Sequence, residues 1–222
     1  MIAVRRGNTP QELVDALRRL SPDQRVYSNL HAEEIAAVKE TLLKAQGRLC
    51  AYCMRRVPDV EHAKLEHVYP QSLSISEGHP EKTVDYNNML VTCRGGDGEP
   101  GRSRAAQTCD THKGGQTISI DPSSQEDIDT IVYKRNGEIH SKNEEFETDL
   151  CETLNLNCCE AFLPQDRARV YEMMSRQIKR ADPKTRDAKR RFAEKKLLEI
   201  ESSPMKEQFV GVMIYRLKRW AR

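Results

Sequence analysis

Cys50-Ala51-Tyr52-Cys53 opens a stretch that closes on Cys93 and Cys109. Between these cysteines lie Leu65-Glu66-His67-Val68-Tyr69-Pro70 and Asp85-Tyr86-Asn87-Asn88-Met89-Leu90. A Cys-x-x-Cys pair puts two thiolates on one tight turn, where both reach a single tetrahedral ion. Cys93 and Cys109 complete a four-sulfur set of the closed structural kind, for which zinc is the usual occupant. The second pair is separated by fifteen residues, so its glycine-rich insert has to loop out for the two sulfurs to meet. A lone Cys-x-x-Cys also suits thioredoxin-like redox chemistry, but no βαβ pattern surrounds this one. Cys151, Cys158 and Cys159 fall in a later helical region and read as buried thiols, with Cys158 and Cys159 as alternative ligands.

Upstream of the first cysteine, Thr9-Pro10 begins a short helix with Leu13, Ala16, Leu17 and Leu20 at helical spacing. A stronger helix is predicted from about 32 to 46, with Ile35, Val38, Leu42 and Leu43 on one face and Gly47 past its end. It delivers the chain to Cys50. Residues 50–115 are turn-rich, with Leu65–Tyr69 reading as a short strand and Asn87–Thr92 as a second strand or a helix entrance. Downstream, Ile131-Val132-Tyr133 and Glu138-Ile139-His140 flank Asn136-Gly137, a strong hairpin signal. Helical patterns follow at about 143–155, 164–181, 184–201 and 204–220, with Pro164, Pro183 and Pro204 placed for first turns. The fold class is therefore α+β, a small metal-stabilised module within a mainly helical chain. Its parts are an N-terminal helical segment at 1–47, the cysteine-bounded module at 48–120, and a hairpin with a helical extension at 121–222.

The 222 residues are 37% hydrophobic, 5% aromatic and 32% charged, so a modest core needs the folding free energy that a bound metal supplies. No apolar run of about 18 residues occurs, which argues against a membrane helix, and Met1–Arg6 lacks a secretory h-region. A cytoplasmic location is the expectation, where cysteines serve as thiols and metal ligands. The net charge of +2 hides an asymmetry: from residue 165 onward there are 17 Lys/Arg against 8 Asp/Glu, leaving 19 against 26 before it. A basic helical tail suits phosphate contacts, and it equally suits a solvated helix surface.

Hydrolysis of a phosphodiester needs a base for water and a cation for the scissile phosphate. Glu66-His67 offers both, although neighbours on an extended strand point oppositely, so a kink is required to aim both at one phosphate. Asn88 can ligate or position through its carboxamide, and Asp110 and His112 follow the last cysteine. At these residues the chain resembles the HNH endonucleases, whose ββα-metal site carries a His on its first strand, an Asn, and a third ligand on the helix. Glu66-His67 with Pro70 and Ser72 resembles the family's D/E-H-x-x-P-x-S. Asn88-Met89-Leu90-Val91-Thr92-Cys93 resembles its N-L-x-x-x-C, and Cys109-Asp110-Thr111-His112-Lys113 its C-H-x-x-K. Here Asp110 stands where the third family histidine falls, with His112 two residues on.

That resemblance, covering roughly residues 48–115, implies His67 as general base and a catalytic Mg²⁺ or Mn²⁺ held by Glu66, Asn88 and Asp110. It implies Asp110 or His112 as the third site residue, Lys113 as a phosphate contact, and structural Zn²⁺ on the four cysteines. Arg94, Arg102 and Arg104 of the insert are candidate backbone contacts for DNA or RNA, or simply part of a flexible surface loop. More narrowly, the block is similar to PtuB-type HNH proteins of Septu and retron antiphage systems. The implied partners are then an ABC-type ATPase (PtuA-like) and, for a retron, a reverse transcriptase with its msDNA. The competing expectation is an inactive, zinc-organised nucleic-acid or protein adaptor, which has no need of Glu66, His67 and Asn88 together.

Overall fold

The computed structural model describes residues 1–101 and 103–221, and the fold is α+β. Arg102 of the insert lies outside the described residues. Helix α1 (Gln11–Arg19) buries Leu13 and Ala16 against α2 (Ala32–Ala45), whose inward face is Val38, Leu42 and Leu43. The periodicity of the sequence produces both. At the start of α2 the Glu34 carboxylate accepts the His31 N–H at 2.7 Å, satisfying one of the free donors of the first turn.

Strand β1 (Lys64–His67) pairs antiparallel with β2 (Met89–Thr92), in a register running from Lys64 opposite Thr92 to His67 opposite Met89. Between them comes α3 (Gln71–Ser76), a short helix the sequence analysis missed, which starts directly after Pro70. All four residues of β2 are buried, with α2 packed against the strand. The chain then passes through the glycine-rich insert into α4 (Cys109–Lys113). No described helix is long and apolar enough to cross a membrane.

After α5 (Gln125–Asp129), a second antiparallel ribbon forms from β3 (Ile131–Tyr133) and β4 (Ile139–Ser141), as the Asn-Gly signal predicted. Only Gly137 of that dipeptide takes a positive φ, at 86°, and a Cβ there would meet the Pro164 carbonyl oxygen at 1.8 Å. The close approach of the helix that carries Pro164 (Leu163–Ala181) thus requires glycine at this position. The helix expected over 143–155 is shorter: α6 (Glu144–Thr148), capped by the Asn143 carboxamide, widens into a π-turn at Asp149–Thr153.

Three longer helices close the chain: α7 (Leu163–Ala181), α8 (Arg186–Ser202) and α9 (Val210–Trp220), with α9 packed on both others and on β3. Pro164 lies in the first turn of α7 as expected, but Pro183 and Pro204 precede their helices by several residues. Thr185 takes the capping role for α8, its hydroxyl accepting the Ala188 N–H. Beyond α8, the Lys206 ammonium donates to the carbonyls of Ile200, Glu201 and Ser203, which holds residues 203–209 irregular and delays α9. Buried residues from all three stretches of sequence, among them Met1, Leu42, Met89, Ile131 and Val210, belong to one core; Met174, Ile178, Ala193 and Leu217 form a smaller one among the last helices.

Candidate metal centre and active site

The Cys50 turn is built by local hydrogen bonds. The Cys50 N–H donates to Arg55 O at 2.9 Å, the Met54 N–H returns to Cys50 O at 3.0 Å, and Met54 takes a φ of 64°. The Ala51 N–H donates to Val91 O, docking this turn onto β2. Gln46, at the end of α2, clamps the same place: its amide donates to Leu49 O and Val91 O and accepts the Val91 N–H. Cys93 follows β2 directly. Cys109 opens α4 with a φ of 58°, its N–H bound to Leu154 O at 2.9 Å. The insert does loop out, closing where the Thr108 N–H meets Gly95 O. Gly95 has φ 56°, and a Cβ there would lie 2.1 Å from the Thr108 carbonyl oxygen.

The four sulfurs converge. Sγ–Sγ separations are 3.8 Å for Cys50–Cys109, 3.7 Å for Cys53–Cys93 and 3.8 Å for Cys93–Cys109, and all four atoms lie within 4.8 Å of one another. A tetrahedron with metal–sulfur bonds of about 2.3 Å has edges of about 3.8 Å, so the set fits one thiophilic ion. The electrostatics agree. Hydrogen bonds from Cys109, Cys50 and Cys53 hold the Cys93 thiol well below its ordinary value, while those to Cys50, Cys53 and Cys93 push Cys109 well above. Four thiolates cannot ionise side by side without a cation among them. Of the other thiols, Cys158 is buried as expected and Cys151 half-buried, but Cys159 is exposed, because it turns outward just before α7.

Beside this knot, strand β1 and helix α4 bring two carboxyls together. Glu66, only 2% exposed, accepts from the Tyr52 hydroxyl at 2.7 Å and from Lys113 Nζ at 2.9 Å, and it hydrogen-bonds with Asp110. Burial first, then the Asp110 carboxylate, push Glu66 up to about 8 against the pull of Lys113. Burial would also raise Asp110, but the Glu66 hydrogen bond and the Lys64 ammonium at 3.0 Å hold it below the usual carboxylate range. The pair therefore shares one proton near neutrality, held between the ammonium groups of Lys113 and Lys64.

His67 has different neighbours. Its Nε2–H donates to Thr83 O at 2.9 Å, its Nδ1 accepts from the Gln71 amide at 3.1 Å, and its ring meets Tyr27 edge-on at 5.1 Å between centroids. A carbonyl can only accept, so Nε2 carries the proton and Nδ1 the lone pair. Burial pulls the imidazole below its ordinary value, partly offset by the Thr83 carbonyl, so it is neutral at pH 7. The register is regular through both residues, so Glu66 and His67 leave β1 on opposite faces, without the kink the sequence analysis required.

Other expected site residues are placed otherwise. The Asn88 carboxamide accepts the Tyr69 N–H and donates to Tyr69 O and Lys82 O, so it pins the β1–α3 connection and offers a metal little. His112 Nδ1 pairs with Thr153 O at 3.0 Å, turned toward the π-turn rather than the carboxyls; Asp110 is the α4 residue that meets Glu66. Lys113, expected on a phosphate, is 1% exposed and spans Glu66 and His67 O. Arg94 is exposed and donates to Glu61 O, and Arg104 is exposed at the start of a short 3₁₀ turn. Tyr52, Lys64 and Gln71 join these clusters without having been predicted from the sequence. Lys64 was legible by period, since alternate residues of a strand share a face and Lys64 shares that of Glu66.

The buried Lys113–Glu66 contact makes a direct prediction. Lys113→Met leaves Glu66 without its buried ammonium partner while Asp110 keeps Lys64, and breaking such a buried pair destabilises by about 3 kcal/mol. Chemical denaturation is expected to show this loss with the sulfur knot still holding its metal; an unchanged midpoint refutes the ion pair.

No protein-family model matches the chain, and a search of curated proteins finds no match either.

Proposed function

We propose that this chain is a metal-dependent nuclease of the HNH type, its fold clasped by zinc on Cys50, Cys53, Cys93 and Cys109. Thiolate sets favour zinc among the common cellular divalent ions. The observation that carries the reading is His67: a neutral imidazole on a two-stranded ribbon, its Nε2 proton committed to a carbonyl and its Nδ1 lone pair directed at one displaceable amide. A water in the place of the Gln71 amide would give its proton to Nδ1 as it attacks phosphorus. Asn88 keeps the loop after His67 in position, and Tyr52 and Lys113 fix the Glu66 carboxyl against Asp110. Mg²⁺ or Mn²⁺ would supply positive charge to the phosphate and the departing oxygen. Since Glu66 and Asp110 lie on the face of β1 away from His67, they could hold that ion for the same phosphate only if the strand kinks on binding.

Attack by water makes no use of a 2′-hydroxyl, so DNA and RNA are both chemically competent substrates. Arg94 and Arg104 on the insert are the candidate phosphate contacts. The narrower resemblance extends the proposal to an antiphage effector governed by an ABC-type ATPase, or to a retron with its reverse transcriptase and msDNA.

A second reading, a zinc-organised adaptor without catalysis, is favoured by one observation: Glu66 and Lys113 are sealed and already satisfy one another. Incubation of the purified chain with supercoiled DNA and with structured RNA, in Mg²⁺, Mn²⁺ or chelator, decides between them. Cleavage that requires Mg²⁺ or Mn²⁺, with the ATPase partner supplied, is the expected result. Binding without cleavage, with the ATPase present or absent, selects the adaptor.

A further inference from the structure

A second group of metal-competent side chains lies away from the sulfur knot, where β4 meets the junction of α6 and the π-turn. His140, Glu147 and Cys151 each place one donor atom within 4.8 Å of the others. His140 Nδ1 is 2.6 Å from Glu147 Oε1, and Cys151 Sγ is 3.4 Å from the same oxygen. On a tetrahedral zinc-like ion, the oxygen–sulfur edge is about 3.5 Å and the nitrogen–oxygen edge about 3.3 Å. One contact already has the required length, and the imidazole has to withdraw by roughly 0.7 Å to complete the other. All three side chains are half-buried, open enough for an ion to enter and shielded enough to hold it.

The surroundings point the same way. His140 Nε2, the ring nitrogen turned away from this cluster, is 3.2 Å from Glu138 Oε2. An imidazole between a carboxylate and a cation has its orientation fixed and its basicity raised, the usual environment of a metal-bound histidine. The Asn157 amide donates to Cys151 Sγ at 3.3 Å, and its carbonyl oxygen is fixed by the Ile139 N–H and the Arg167 guanidinium. That hydrogen bond suits a thiolate better than a thiol. The π-turn matters as well, since such widened turns concentrate at functional sites, and this one carries Cys151.

Two plainer accounts explain less. An imidazole–carboxylate pair with a thiol donating to Glu147 and to the Ile139 carbonyl accounts for these contacts but gives no role to the Asn157 N–H aimed at the sulfur. A reactive thiol is disfavoured because Cys151 is half-buried with its sulfur against the Glu147 carboxylate, whereas reactive thiols sit in exposed, electropositive surroundings.

We propose that His140, Glu147 and Cys151 form a second metal site, for a transition ion of the zinc class, with its fourth position open to water. The mixed nitrogen, oxygen and sulfur set rules against Mg²⁺ and Ca²⁺, which prefer oxygen alone. This site is independent of the nuclease reading and stands or falls without it.

The test is metal stoichiometry of the full chain dialysed against Zn²⁺ or Co²⁺ alone. The intact protein is expected to hold about two equivalents, and Cys151→Ser and His140→Ala about one, with the tetrathiolate cobalt spectrum retained. Near-UV circular dichroism checks that each variant is folded. Should either variant unfold, Glu147→Gln, which keeps an oxygen for the Ser141 N–H, serves instead and is expected to weaken the second equivalent at least about tenfold. A single equivalent in the intact chain, or two retained in all three variants, overturns the proposal.

Discussion

Cys53→Ser is expected to unfold most of the chain, and prolonged chelation of the unsubstituted protein to do the same. Structural zinc in small domains supplies about 10–16 kcal/mol of apparent binding free energy, comparable with or larger than the 5–15 kcal/mol that separates folded from unfolded domains. Here the dependence spreads beyond the module itself. Cys50, Cys53 and Cys109 are buried within the main core, continuous with Leu42 of α2, Ile139 of β4 and Val210 of α9. The Phe209 N–H donates to Met54 O, and Arg55 pairs with Asp166 at 2.8 Å, so both α9 and α7 are anchored on the residues directly after Cys53. Loss of the sulfur cluster therefore releases the helical part together with the ribbon. Far-UV circular dichroism during thermal melting, alongside zinc content, measures it. A cooperative melt near the parental midpoint in zinc-free Cys53→Ser would show that hydrophobic packing alone sustains the fold. Cys159→Ser, at an exposed thiol with no part in either cluster, is the control expected to change nothing.

The elements governed by local pattern were legible in the sequence: α1, α2 and α7 by helical spacing, the β3–β4 hairpin by its turn, and the four converging cysteines by residue type and context. What was not legible depends on partners far away along the chain. Nothing around Lys113 announces burial; it is buried because β1 and β2 place Glu66 and the His67 carbonyl where α4 ends. Arg167 shows the same effect on a bulk property. It counts toward the positive charge of the tail, yet it is 1% exposed, bound to the carbonyls of Gly137 and Leu156. Charge counted along a sequence thus overstates charge offered to a polyanion. Asn88 fits the family pattern by position, but only the Tyr69 and Lys82 backbone groups reveal that its carboxamide is already engaged. The α3 helix was missed because Gln-Ser-Leu-Ser-Ile-Ser carries too few apolar residues for a helical period to register.

His67→Ala is expected to lower cleavage by about 10²–10⁴-fold, the range that loss of a positioned general base produces, or about 3–5.5 kcal/mol in the barrier. Zinc content should be unchanged, because His67 contacts Thr83, Gln71 and Tyr27 and none of the sulfurs. The pH dependence separates a base from a mere support. A base acts when neutral, and burial depresses the affinity of His67 for a proton. The acid limb of the rate profile should therefore lie below the ordinary imidazole value of about 6.5, with activity falling as pH drops through the depressed pKa. The same sign governs stability. The unfolded state binds the proton more readily, so the contribution of the buried neutral ring is present above about 6.5 and lost as pH falls through the folded-state value. Gln71→Ala sharpens the test. Its amide donates to Nδ1 and so favours the neutral ring; without it the acid limb should move upward while cleavage at alkaline pH persists. A His67→Ala protein that cuts at the parental rate, or a Gln71→Ala profile superimposable on the parental one, would remove the imidazole from the chemistry and leave it as packing for Tyr27.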